Sequence, residues 1–99
     1  MSWRVRYTPA AREDLLRLYG FMLERDTLAA TRALKIIGKS VELLGTFPFS
    51  CRKVDPANPF LREMLVSFGV SGYVALYEIE DDRTVTILAI RHQREDDYR

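Results

Sequence analysis

The stretch LAIRHQREDDYR at residues 88–99 holds the densest set of side chains able to do chemistry: Arg91, His92, Gln93, Arg94 and Tyr98. Arginine forks grip phosphate oxygens, and an imidazole, whose ordinary pKa is about 6.5, can take or give a proton near neutrality. The same residues also compose a solvated end. A lone histidine at a strand terminus more often fixes the chain through hydrogen bonds than catalyses, and the run from Arg94 to Asp97 reads as a hydrated tail.

The elements before this stretch decide where it sits. SWRVRYT alternates Trp3, Val5 and Tyr7 with Arg4 and Arg6, the period of a half-buried strand over 2–7. Thr8-Pro9 supplies a capping oxygen and then a proline at the first helical position, where an N–H is not needed. From there Ala11, Leu15, Leu18, Tyr19 and Met22 recur at steps of three and four, predicting a helix over 9–25 that tolerates Gly20. Asp26 or Thr27 caps a second helix over 28–44, striped by Ala30, Ala33, Leu34, Ile37, Val41 and Leu44, and Gly45 is the expected left-handed stop. Helices joined this closely fold back as a hairpin, and the hairpin needs a sheet to cover it.

Residues 46–60, with three prolines and no period, are expected to form a loop held by Phe47, Phe49 and Phe60. Strands follow at 61–68, 72–80 and 84–90, separated by GVSG and EDDR turns, as an antiparallel meander. Along the middle strand Tyr73, Ala75, Tyr77 and Ile79 share one face and are assigned to the core. The expected architecture is α+β, in the order β-α-α-β-β-β, as one domain over 1–99.

Composition narrows the classes of function. At 99 residues, 47% hydrophobic and 29% charged, the chain reads as a folded cytoplasmic domain. No apolar run approaches the ~20 residues of a membrane span, and the N-terminus lacks the apolar core of a secretory signal. A single cysteine and a single histidine supply no metal-ligand cluster, so neither a metal nor another cofactor is expected. The net charge of +1 disfavours broad binding to nucleic-acid backbone. A local basic patch is still possible, because residues 1–50 carry eight basic and five acidic side chains while residues 51–99 carry seven and nine.

YTPAAREDL, the helical hairpin, LREMLV, GYVALYEIEDDRTVTILAIRH and the final HQREDDY, in this order and at this spacing, resemble the RelE/ParE superfamily of bacterial type II toxins. The resemblance implies a small toxin neutralised by direct binding of a cognate antitoxin. RelE-like members of the superfamily cleave mRNA on the ribosome without a metal, using basic residues and often a tyrosine, whereas ParE-like members poison DNA gyrase. The RelE-like catalytic arginine follows the GY of the middle strand, where this chain has Val74. Valine cannot neutralise the charge that develops on a phosphate in flight.

The resemblance therefore implies a ParE-like gyrase inhibitor, with Arg91, His92 and Arg94 recognising target or phosphate. The alternative is a RelE-like endoribonuclease using His92, Arg94, Tyr98 and Arg62, with the ribosome and mRNA as partners. A third reading is a weakly toxic or inactive protein that keeps only its antitoxin contact. Phe21 and Leu23, on the outer side of the hairpin, are the expected antitoxin-binding residues, and that contact is expected to be mainly apolar and slow to dissociate.

Overall fold

The computed structural model of the chain describes residues 2–94. The element order is β1 (Arg4–Tyr7), α1 (Pro9–Leu23), α2 (Thr27–Leu43), a 3-10 turn at Pro48–Ser50, β2 (Arg52–Asp55), β3 (Asn58–Phe68), β4 (Ser71–Ile79) and β5 (Thr84–His92). The strands form one sheet in the order β1-β5-β4-β3-β2, antiparallel throughout except that β1 runs parallel to β5. Both helices lie on one face, so the fold is the two-layer α+β arrangement expected.

The helix starts are capped as their sequences dictate. Thr8 Oγ1 accepts from the Ala11 N–H at 3.0 Å, and Asp26 Oδ1 accepts from the Ala29 N–H at 3.1 Å. The core is built from Ala11, Leu18, Ala33, Ile37, Val41 and Leu44 of the helical layer against Met64, Val66, Tyr73, Ala75, Tyr77 and Ile79 of the sheet. Tyr77 is fully buried, and its hydroxyl donates to the Pro48 carbonyl at 2.6 Å. Burial drives its pKa far up, with a hydrogen bond to Cys51 adding to the effect.

Three expectations are corrected. Residues 46–60 are not a bare loop: they contain the 3-10 turn, all of β2 and the start of β3. Asp55-Pro56-Ala57-Asn58 turns the chain between the two strands, with Asp55 Oδ1 accepting from the Ala57 N–H at 2.9 Å. Phe47, Phe49 and Phe60 do not hold this segment from inside, since each is about half exposed; buried Pro48 and the side chain of Arg62 do so. Gly45 is not left-handed, because among the described residues only Gly69 has positive φ. Instead the Gly45 carbonyl receives the Trp3 N–H at 2.7 Å, tying the start of the chain to the end of α2.

Gly20 has open space where a Cβ would stand. Gly20→Ala is expected to stabilise the protein by about 0.5–1 kcal/mol, because it removes the conformational freedom that glycine loses on folding. A denaturant midpoint that moves upward with an unchanged slope checks this.

At the β4–β5 turn the Asp81 carboxylate accepts from the Arg83 and Thr84 N–H groups, both at 2.7 Å. The hydrogen bond from Arg83 is the main reason its pKa falls below the ordinary 3.8. A depressed folded-state pKa contributes stability above the unfolded value that is lost as pH falls through the folded one. Asp81→Asn is therefore expected to lower stability at neutral pH, where the ionised carboxylate contributes fully, and to flatten the acid limb below about pH 3.8 so that variant and wild type converge in acid, as read by urea unfolding across pH.

Candidate functional site

A β-bulge in β5 fixes where the C-terminal basic residues point. Leu76 pairs with Ala89 while Tyr77 pairs with Ile87, which leaves Leu88 without a partner across β4. Before the bulge Val85 and Ile87 face the helices; after it Ile90 and His92 do. One extra residue reverses the alternation of every side chain beyond it. Without the bulge His92 would lie on the far face of the sheet, the face that carries Arg6 and Thr86.

Helix α1 secures the bulge. Thr8 Oγ1, besides capping α1, donates to the Leu88 carbonyl at 3.2 Å, and Asp14 Oδ2 accepts from the Ile90 N–H at 2.9 Å. These contacts fill the edge of β5 beyond Tyr7↔Ile87, the last pair with β1. Arg17 and Phe21, about one and two turns beyond Asp14 on α1, line a groove with His92 at the end of β5.

His92 is held on both ring nitrogens. The Arg94 N–H can only donate, so His92 Nδ1 accepts it at 3.1 Å, which places the neutral ring's proton on Nε2, 3.0 Å from Ser71 Oγ. The imidazole meets Tyr73 edge to face, with centroids 5.7 Å apart at 89°. In this tautomer the basic lone pair is occupied by backbone, and the ring serves as a clasp between the start of β4 and the end of β5. Burial raises the pKa of Tyr73.

Between the C-terminal half of α1 and this end of the sheet lies a groove of about 570 Å³. Leu18, Phe21, Met22 and Tyr73 form its floor, while Arg17, His92 and Arg94 line its rim. Phe21 is 54% exposed and carries the Arg25 guanidinium 3.6 Å above its ring centroid. The groove thus joins Phe21 to His92 and Arg94. Leu23, 38% exposed at the last residue of α1, does not line it.

The other candidates lie elsewhere. Arg91 pairs with Val74 and faces away from the helices, its Nη1 reaching the His92 carbonyl at 3.3 Å. Arg62 shares a face with His92, but it stands opposite Tyr77 whereas His92 stands opposite Tyr73, four residues along β4 or roughly 13 Å away. Its guanidinium donates to the carbonyls of Pro59, Phe49 and Cys51 at 2.7–2.9 Å, so the structure does not bring it to His92. Tyr98 lies outside the described residues.

Arg17 was missed in the sequence. Its position one turn before Phe21 on the outer side of the helix was the available signal.

A helical hairpin on one face of a five-stranded sheet, with an apolar groove and basic rim at one end, defines a small two-layer α+β fold. Residues 5–97 match the family described as ParE toxin of type II toxin-antitoxin system, parDE. The chain belongs to this family of type II toxins, within the RelE/ParE superfamily. It is 37% identical over 91 residues to Toxin RelE3 of Caulobacter vibrioides, a match covering 92% of this chain and 95% of that protein. Toxin RelE1 of the same organism is 32% identical over 79 residues, covering 80% and 82%.

The fold is similar to that in the chromosomal ParDE toxin-antitoxin system from P. aeruginosa, with a TM-score of 0.75, 17% identity and coverage of 92% and 96%. It is also similar to that in the toxin-antitoxin complex RelBE2 from Mycobacterium tuberculosis, with a TM-score of 0.62, 23% identity and coverage of 94% and 100%. No helix among the described residues is long and apolar enough to cross a membrane.

Proposed function

We propose that this toxin inhibits DNA gyrase and is neutralised by direct binding of a cognate antitoxin. The observation that carries the reading is Val74. It occupies the position after Gly72-Tyr73, is 2% exposed, and pairs with Leu65 on one side and Arg91 on the other. With Leu65, Leu76 and Ala89 it gives the face of the sheet away from the helices an apolar centre beside Arg91, so the second positive charge that an arginine at position 74 would bring to phosphoryl chemistry is missing. The His92 tautomer agrees, since an imidazole whose basic nitrogen already accepts a backbone N–H is poorly placed to draw a proton from a ribose hydroxyl.

The ParE description of the family and the ParDE system among the structural neighbours support the same reading, and the two solved structures named above are described as a toxin-antitoxin system and a toxin-antitoxin complex. On this proposal, induction of the toxin arrests growth while mRNA ends remain intact and translation continues. Mapping of transcript ends after induction tests it, with new ends inside reading frames as the contrary outcome.

A second reading, ribosome-dependent mRNA cleavage, draws on the clustering of Arg17, His92 and Arg94 around one groove and on relatives named RelE. The same transcript map decides between the two.

A further inference from the structure

We infer that the end of the sheet opposite the groove carries a notch that binds the guanidinium of an arginine on a polypeptide partner, walled by Trp3, Phe49 and Phe60 and rimmed by Asp82. The inference stands apart from the gyrase proposal and from the groove beside α1. Ile79, which lines the notch, lies six residues along β4 from Tyr73 of the groove, or roughly 20 Å.

The walls follow from local structure. The Trp3 backbone N–H donates to the Gly45 carbonyl at 2.7 Å and its indole N–H to the Asp81 carbonyl at 3.2 Å, so the residue is held at both ends. Phe49 meets Trp3 edge to face on one side, with centroids 6.3 Å apart at 72°, and Phe60 on the other, at 6.2 Å and 71°. Successive rings thus stand nearly perpendicular and border, with Ile79, a space of about 370 Å³. Phe49 and Phe60 are each about half exposed, which leaves aromatic surface open to a partner.

The chemistry of this space selects a cation. Aromatic rings present electron-rich faces, and a guanidinium is flat enough to lie against one while still offering N–H groups to a carboxylate. The chain already uses such a pairing at Phe49, whose ring centroid is 5.3 Å from the Arg62 guanidinium. Arg62 donates to three carbonyls and does not line the notch. The described lining residues include Glu80, Asp81 and Asp82 and no basic side chain.

These three acids are not equivalent. Glu80 Oε2 accepts from the Thr86 hydroxyl and lies 3.6 Å from Arg6 Nε, and the Asp81 carboxylate is held by the N–H groups of Arg83 and Thr84. Asp82 is 78% exposed and meets Arg83 Nε at 4.0 Å, a surface contact that a forked guanidinium pair would replace. Asp82 is therefore the carboxylate available to an incoming arginine. Nucleic acid would be repelled by this rim, and a purely apolar side chain would strip water from the carboxylates without replacing its hydrogen bonds.

The test uses the full-length chain, isotope-labelled for NMR, and the peptide Gly-Arg-Gly with both ends blocked, so that the guanidinium is its only charge. Trp3 is the single tryptophan of the chain, and its indole N–H signal reports on the notch directly. Titration is expected to shift that signal saturably. The same peptide with citrulline, which keeps the shape and removes the charge, should bind about threefold more weakly or worse. Asp82→Asn, on an exposed turn, should weaken the arginine peptide by about threefold and shrink its advantage over citrulline. Phe60→Ala should weaken the arginine peptide by a similar factor of about three.

An indole signal that the arginine peptide does not move would overturn the assignment. So would equal affinity for arginine and citrulline, or an affinity for arginine unchanged by Asp82→Asn.

Discussion

Gly72→Ala is expected to destabilise the protein by about 3 kcal/mol, at the upper end for overpacking a well-ordered interior. A Cβ built at Gly72 would overlap the Val66 carbonyl oxygen of the neighbouring strand and stand 3.1 Å from Gln93 Nε2. The obstacle on the β3 side is backbone, which cannot rotate away as a side chain would. The Gly72 carbonyl also receives the Gln93 N–H at 2.9 Å, so any shift of β4 here propagates to the end of β5. Tyr73 and His92, which stand opposite each other one residue on, would move with it. Chemical denaturation should show a large drop in midpoint. An alanine variant as stable as the wild type would mean that β3 and β4 are not pinned at this point.

The second large effect is at Arg62, the one arginine in the buried class among the described residues. Its guanidinium ties together the carbonyls of Pro59, Phe49 and Cys51, and it stands 5.3 Å from the Phe49 ring centroid. Arg62→Ala leaves these acceptors without their charged donor and frees the segment from Pro48 into β2. The expected cost is about 3 kcal/mol. Arg62→Lys recovers little, because one ammonium cannot reproduce a planar fork that reaches carbonyls on two segments.

The functional readout separates a strut from a catalyst. Gyrase inhibition per folded molecule should persist in Arg62→Ala while thermal stability falls. If Arg62 were instead a ribonuclease residue, stability would hold and mRNA cleavage would vanish.

Much of the architecture could be read from local chemistry. Thr8-Pro9 and Asp26 announced both helix starts because a capping oxygen has one geometric role, and the stripe from Ala30 to Leu44 announced which face would be buried except at Leu34, which is 43% exposed. What the sequence hid was decided by tertiary contact. β2 has four exposed residues and so no alternation to detect, although Asp55-Pro56-Ala57-Asn58 was a recognisable turn between two short runs. Pro59 argued against a strand, yet β3 reaches β4 only from Leu61 onward, and Pro59 sits beyond that pairing, where its missing N–H costs little.

The candidate site was half visible. Phe21, His92 and Arg94 were identifiable by type and position, but nothing in TVTILAIRH marks the bulge at Leu88 that turns His92 toward the helices. All four residues of ILAI are apolar, so either alternation would have fitted. Arg62 misled because its composition suits a phosphate site, whereas its hydrogen bonds are spent on carbonyls.

The central claim is most directly measured on purified DNA gyrase with relaxed plasmid and excess toxin. The account predicts loss of ATP-dependent supercoiling and accumulation of gyrase-DNA cleavage complexes, both reversed when the cognate antitoxin is added. Normal supercoiling at saturating toxin, with the same preparation arresting growth when induced, would contradict it.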